Sequence, residues 1–241
     1  MQWRSAYAHA PRAHLWNIVA MPIRAVLFDV YGTLLDVHSA IAREGKELGA
    51  SADAVSRLWR QKQLEYTWVW SLRGAYRTFR ALTEAALDFA LASHGLESGV
   101  LRDRLLQAYT QLDPFPDVAE TLQALRQQRL RLAALSNGDP EMLDSGLRAA
   151  RIRDLLDDVL SVASLQIYKP DRRVYELGRT WAGAPASEIA FVSANAWDVG
   201  GAASFGFRTF WINRAGQPPE YEIQHHAAIL RGLSELTQHL V

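Results

Sequence analysis

The chain has 241 residues, 49% of them hydrophobic and 22% charged, a composition that supports one large globular domain or two smaller ones and excludes fibres, peptide-like scaffolds and a wholly disordered chain. Its 26 basic and 26 acidic residues give a net charge of +0, so no broad positive field gathers nucleic acid or an anionic membrane. Zero cysteines exclude a disulfide framework, thiolate catalysis and Cys-ligated zinc and suit a cytoplasmic setting, and no apolar run approaches the roughly 18 residues of a membrane span.

Residues 1–20 carry Arg4 and Arg12 among small residues, without a defined hydrophobic stretch or cleavage site. They are expected to form a mobile N-terminal extension, dispensable for folding and activity. From Ile23 onward strand and helix signals alternate, the pattern of a parallel sheet covered on both faces. Strands are expected at 25–28, 132–135 and 189–192, with weaker ones at 159–162 and 209–212. Amphipathic crossover helices are expected near 118–128, 141–149, 172–181 and 199–205, with a terminal helix near 227–240. The stretch 37–113 breaks the alternation. It is rich in Leu, Ala, Arg, Glu and Gln, lacks proline and reads as a helical insert. Asp113-Pro114-Phe115-Pro116 marks the return to the sheet. The implied architecture is α/β: a Rossmann-like parallel-sheet core (21–36 and 114–241) with a helical cap domain (37–113) inserted after the first strand. An insert there stands beside the carboxyl edge of the sheet, where ligands bind.

Three strands end in polar residues: Asp29, then Ser136-Asn137-Gly138, then Ser193-Ala194-Asn195-Ala196-Trp197-Asp198. Each taken alone reads as a turn or helix cap. In a parallel sheet, however, the carboxyl ends converge on one crevice, so the three together mark a site. An aspartate at a strand end before a glycine-containing turn exposes one carboxylate oxygen and leaves turn N–H groups free for an anion. Asp29 is therefore the candidate nucleophile.

The segment Asp29-Val30-Tyr31-Gly32-Thr33-Leu34 resembles the first motif of the haloacid dehalogenase superfamily, and Ser136, Lys169-Pro170 and Asp198 follow in the order of its other three. Superfamily phosphatases carry a second aspartate two positions after the nucleophile to protonate the leaving alcohol. Here that position is Tyr31, and a phenol with a pKa of about 10 is a poor substitute. Phosphatases also gather carboxylates around Mg²⁺ near the last motif, where this chain has Ser193 and Asn195 and only Asp198 as an acid. These departures fit a narrower resemblance to the L-2-haloacid dehalogenases. It is carried by DVYGT at 29–33, WRQKQLEYTW at 59–68, SNG at 136–138, VYE at 174–176 and FVSANAWD at 191–198, and it extends over 23–213, the insert included.

That resemblance implies hydrolysis of short L-2-haloalkanoic acids to D-2-hydroxy acids. Asp29 attacks the halogen-bearing carbon, halide leaves with inversion, and water splits the resulting ester, with no metal and no organic cofactor. The alternatives are a magnesium-dependent phosphatase of the same superfamily and a non-catalytic relative that binds small carboxylates. By resemblance, Thr33 supports Asp29, and Arg60 and Asn137 cradle the departing halide. Ser136 and N–H groups near Val30 and Tyr31 hold the substrate carboxylate, and Lys169 keeps Asp29 ionised. Tyr175, Ser193 and Asn195 position Lys169 and Asp198, and Asp198 activates the hydrolytic water. Each has a plainer reading: Arg60 as a surface cation, Asn137 as a turn residue, Lys169 as a solvated loop charge, Asp198 as a helix cap. Tyr31, Gln61, Leu64, Phe79 and Trp197 match pocket positions, though alone they would read as core packing. Residues 69–73 read VWSLR where relatives more often have LRSLM, and Ala194 stands where Ser is common; both bear on substrate size and pocket entry. Relatives commonly pair as homodimers through the insert, for which Tyr66, Trp68 and Trp70 offer an aromatic surface.

Overall fold

A computed structural model describes residues 22–96 and 99–240; the expectation of a mobile extension over 1–20 lies outside the described residues. The apolar runs form six strands: β1 (Ala25–Phe28), β2 (Arg131–Ser136), β3 (Asp158–Ser161), β4 (Ile189–Ser193), β5 (Arg208–Ile212) and β6 (Ala227–Leu230). All pair in parallel, in the order β3-β2-β1-β4-β5-β6. Every residue of β1 and β4 is buried, as strands of a parallel sheet covered on both faces must be. The order turns back at β1, which places the switch point of the sheet at Asp29.

The helices that cover the sheet are α5 (Val118–Gln127), α6 (Pro140–Ala149), α7 (Arg172–Ala182) and α8 (Ala196–Phe205), each within a few residues of its expected span. The expected helix over 227–240 is corrected. Ala227–Leu230 is instead the edge strand β6, and Leu233–Gln238 is a 3₁₀ helix. A short Ala/Ile/Leu run does not distinguish helix from strand by its pattern. Here pairing with β5 decides it, and Leu233 N–H is then held by the Asp117 carboxylate.

After β1 the chain makes a turn through Gly32, whose φ of +91° suits a residue without Cβ. It then leaves the sheet at Leu35 and returns at Pro114, where the two passing segments form an antiparallel bridge. Asp36 N–H donates to Asp113 O (2.8 Å) and Phe115 N–H to Leu34 O (3.1 Å). Between these points lie α1 (Ser39–Glu44), α2 (Ala52–Leu72), α3 (Phe79–Ser93) and α4 (Gly99–Tyr109). On α2 the buried residues Val55, Trp59, Gln63 and Thr67 recur every four positions, the stripe a helix presents to a core. Apolar packing is continuous from the sheet into these helices.

Candidate active site

Register brings the strand ends together. Phe28 pairs with Ala134 on one side and Val192 on the other, so Asp29 emerges beside Ser193, with its N–H on Val192 O (2.9 Å). The Asp29 side chain is buried and its two oxygens are treated differently. Oδ2 accepts from Thr33 Oγ1 (2.9 Å), Asn195 Nδ2 (2.8 Å) and Ser193 Oγ (3.4 Å). Oδ1 accepts from Lys169 Nζ alone among the described residues (3.1 Å).

Lys169 lies between two carboxylates. Its ammonium also donates to Asp198 Oδ2 (2.9 Å) and rests over the Phe191 ring. Its side chain is 0% exposed, like that of Asp198, which rules out the solvated loop charge. Burial alone would pull the lysine down, but Asp198 and Asp29 together outweigh it and hold its pKa above the ordinary value. Asp198 moves the other way for an acid. Burial, only partly offset by Lys169, pushes it up to about 6. Tyr175 OH donates to Asp198 Oδ1 (2.9 Å), and Gly201 makes that approach feasible, because a Cβ there would collide with the Tyr175 hydroxyl and lie 2.8 Å from Pro170 Cβ. Burial and the neighbouring Asp198 raise the Tyr175 pKa well above the ordinary value, so it stays a donor.

From the helical segment, Arg60 reaches over the turn after β1. Nη2 donates to Tyr31 O (2.9 Å) and towards Asn195 Oδ1 (3.4 Å), and Nη1 to Gln63 Oε1 (2.8 Å). It is half-buried, not a surface cation. Asn137 Oδ1 accepts from Lys169 N–H (3.0 Å), fixing the lysine loop, while its Nδ2 has no hydrogen bond among the described residues. Among the described residues, no hydrogen bond joins Arg60 and Asn137. Ser136 is fully buried, its Oγ accepting from Gly138 N–H (3.2 Å). The N–H groups of Val30 and Tyr31 make no backbone hydrogen bond among the described residues.

Tyr31 and Phe79 pack as a tilted pair with centroids 5.1 Å apart, and Leu64 is half-buried. Trp197 meets Trp68 edge-on at 5.4 Å. This pair, with Leu72, Tyr168, Lys169 and Tyr221, lines a cavity of about 500 Å³ between the helical segment and the sheet. Gln61 is exposed, with no hydrogen bond among the described residues, while the inward stripe of α2 passes through Gln63. Two residues with no role assigned from sequence also belong here: Gln63 and Asp139, the latter sending both carboxylate oxygens to the N-terminus of α3. Their signals were the four-residue spacing from Trp59 and the Asp-Pro pair after β2.

Asn195 Nδ2 and Arg60 Nη2 place N–H donors on Asp29 Oδ2 and Tyr31 O, the oxygens a cation at this turn would have to share. Two carboxylates and one lysine at the carboxyl edge of a parallel sheet, faced by an arginine from an inserted helical segment, make the site of an enzyme of the α/β class. Residues 23–206 match the model for haloacid dehalogenase-like hydrolases, and the chain belongs to that family. It is 50% identical over 215 residues to (S)-2-haloacid dehalogenase 4A of Burkholderia cepacia, covering 89% of this chain and 93% of that one. A dehalogenase solved as an intermediate complex superposes with a TM-score of 0.88 at 49% identity, covering 90% of this chain and 97% of that one. The L-2-haloacid dehalogenase of Xanthobacter autotrophicus, solved with chloropropionic acid covalently bound, gives a TM-score of 0.83 at 34% identity over the same shares.

Proposed function

We propose that this enzyme hydrolyses the carbon–halogen bond of short L-2-haloalkanoic acids, giving D-2-hydroxy acids and halide. The observation that carries the reading is the asymmetry of Asp29: Oδ2 is held by three neutral donors, while Oδ1 faces a single lysine. Oδ1 attacks C2 from behind, the C–X electron pair departs on the halide, and C2 inverts. Arg60 and Asn137 Nδ2 supply donors to the developing halide charge, and Ser136 with the Val30 and Tyr31 N–H groups takes the substrate carboxylate. Water then adds to the ester carbonyl carbon. Charge collects on Oδ2, where Thr33, Ser193 and Asn195 already donate, and collapse breaks the Cγ–Oδ1 bond; the departing alkoxide takes the second water proton from the new Cγ hydroxyl, so that the product keeps Asp29 Oδ1 as its hydroxyl oxygen and the regenerated carboxylate gains the water oxygen. Asp198 accepts the water proton, being ionised at neutral pH with a pKa near enough to act as a base. Overall, haloacid and water give hydroxy acid, halide and one proton.

Tyr31 opposes the phosphatase alternative. Burial raises its pKa well above the ordinary value, which makes it a far weaker general acid for an alkoxide leaving group than a carboxylic acid would be. We assign 37–113 as the cap and the remainder of the chain from 21 as the core, supported by the crossing at Leu35 and Pro114. No helix among the described residues is long and apolar enough to cross a membrane. We place the enzyme in the cytoplasm, supported by the absence of cysteine, and as a homodimer, supported by Val69, Leu72 and Phe89 exposed on α2 and α3.

Chloride release from each enantiomer of 2-chloropropionate, with EDTA present, is the test. Release from the L enantiomer alone is expected; phosphate-ester turnover that requires Mg²⁺, with no chloride released, would replace this reading by the phosphatase one.

A further inference from the structure

Arg60 is held on its far side by a side chain that takes no part in the reaction described above. Gln63 lies one turn further along α2 and is 1% exposed. Its Oε1 accepts from Arg60 Nη1 (2.8 Å), and its Nε2 donates to Thr83 Oγ1 on α3 (2.7 Å). The amide has only one workable orientation. A guanidinium only donates, so it requires Oε1. Thr83 sends its own hydroxyl hydrogen to Phe79 O (2.7 Å), so its oxygen must accept from Nε2. Tyr109 OH, on α4, closes the network, 3.1 Å from Oε1 and 3.0 Å from Nε2. Burial raises the Tyr109 pKa, so its hydroxyl stays protonated. Three helices thus converge on one amide, and that amide has one free lone-pair direction, which points at Arg60.

We infer that Gln63 is a positioning residue for leaving-group departure: a buried neutral acceptor that aims the Arg60 guanidinium at the halide without neutralising its charge. The inference rests on Arg60 serving as the halide donor. It explains why the acceptor is an amide. A carboxylate at this position would orient the arginine equally well, but as an ion pair it would weaken the positive field felt by the halide. It also explains why so much polar structure is buried among Trp59, Tyr31 and Phe79, where an unsatisfied group is costly.

The test compares chloride and bromide departure. Gln63→Met keeps the volume and removes the acceptor. In single turnovers with L-2-chloropropionate, halide release should slow about 10-fold, the lower end of what a lost orienting contact costs an active site. The bromo substrate should slow less, because the more diffuse leaving group needs less help from a fixed donor. Gln63→Glu, which loses the donor to Thr83 and so should be less stable than the parent, should also lower the chloride-to-bromide rate ratio. Should Gln63→Met fail to fold, Tyr109→Phe, which removes one supporting hydroxyl, should move the ratio in the same direction by a smaller amount. A purely structural residue would lower both rates together, so a chloride-to-bromide ratio equal to the parent's in the folded variants overturns the inference. A parent enzyme that releases no halide from either substrate refutes the function itself, a different result.

Discussion

The two sides of the active site are built by different physics. On the sheet side, Asp29 follows the end of β1, Lys169 sits in a loop and Asp198 in the first turn of α8; Lys169 bonds both carboxylates at 2.9–3.1 Å, and all three are buried. Their geometry follows from the register of β1 against β2 and β4. On the helical side a single charged residue, Arg60, reaches the same turn from α2, aimed by neutral hydrogen bonds. That segment is joined to the sheet through one pair of crossing backbones, continuous apolar packing and a few polar contacts. The sheet side holds its charges in a buried triad; the helical side holds one half-buried cation. On the proposed reading bond making falls to the first and leaving-group departure to the second, and the two sides should fail differently when altered.

The largest difference should come from Asp29→Ala. With no nucleophile, halide release should fall by at least about 10⁴-fold, measured with enzyme in excess, while the fold is little affected, because Lys169 keeps Asp198 as a one-to-one partner. Lys169→Met should reverse that ranking for stability. It leaves two buried carboxylates without their cation, a loss of about 3–5 kcal/mol. For a chain of this size that lowers the melting temperature by about 6–20 °C. The deficit should shrink as the pH is lowered, since protonation relieves the repulsion. A Lys169→Met melting temperature within a degree or two of the parent's would mean that the pair is not closed in solution.

Next in size is a pH effect confined to the sheet side. Asp198 has its pKa pushed up to about 6, first by burial, and as a base it works only when ionised. Ester hydrolysis should therefore hold above pH 6 and fall about 10-fold per unit below it, read from the decay of the ester after a single alkylation. Formation of the ester, which does not use Asp198, should be less sensitive over the same range. The same shift has a sign for stability. Because the folded pKa lies above the unfolded value of about 3.9, the native state binds more protons between the two, and the Asp198 contribution weakens as pH rises through that window.

How far each side could be read from residues alone follows the same division. Asp29, Ser136 and Ser193 are legible because a strand that stops at a polar residue announces both its own end and the sheet edge. Parallel pairing then gathers residues more than 160 positions apart, such as Asp29 and Ser193. Arg60 was legible only through its motif, since a lone arginine on a polar helix looks like any other. Gln61 and Gln63 could not be ranked without knowing the phase of α2; both fall in WRQKQ, and only packing against Thr83 and Tyr109 turns the second inward. The strand β6 was missed because four small apolar residues carry no period, and its identity depends on β5.

Asp139 shows the limit most clearly and carries the smallest predicted effect. It precedes Pro140 at the start of α6, the signature of a helix N-cap, yet it makes no side-chain cap bond to that helix. Its Oδ1 accepts from Phe79 N–H (3.1 Å) and its Oδ2 from Arg80 N–H (2.7 Å). These are the first two donors of α3, a helix in the other segment. Thr78 satisfies the next two, its hydroxyl taking Ala81 N–H (3.2 Å) and its carbonyl Leu82 N–H (3.1 Å). The N–H groups of Phe79, Arg80 and Ala81, which have no partner within α3, are therefore met, two of them only when the helical segment is seated on the sheet. A carboxylate at that positive helix end is favourable in its own right. Asp139→Ala should cost about 1 kcal/mol, or about 2–4 °C in melting temperature, with faster hydrogen exchange at Phe79 and Arg80. It should raise KM more than it lowers the saturated alkylation rate, because the nucleophile and its lysine are untouched. Asp139→Asn, which keeps an acceptor, should recover part of both. Equal losses in KM and in the saturated rate would instead mean that the latch shapes the sheet side too, and the division between the two regions would have to be redrawn at the loop after β2.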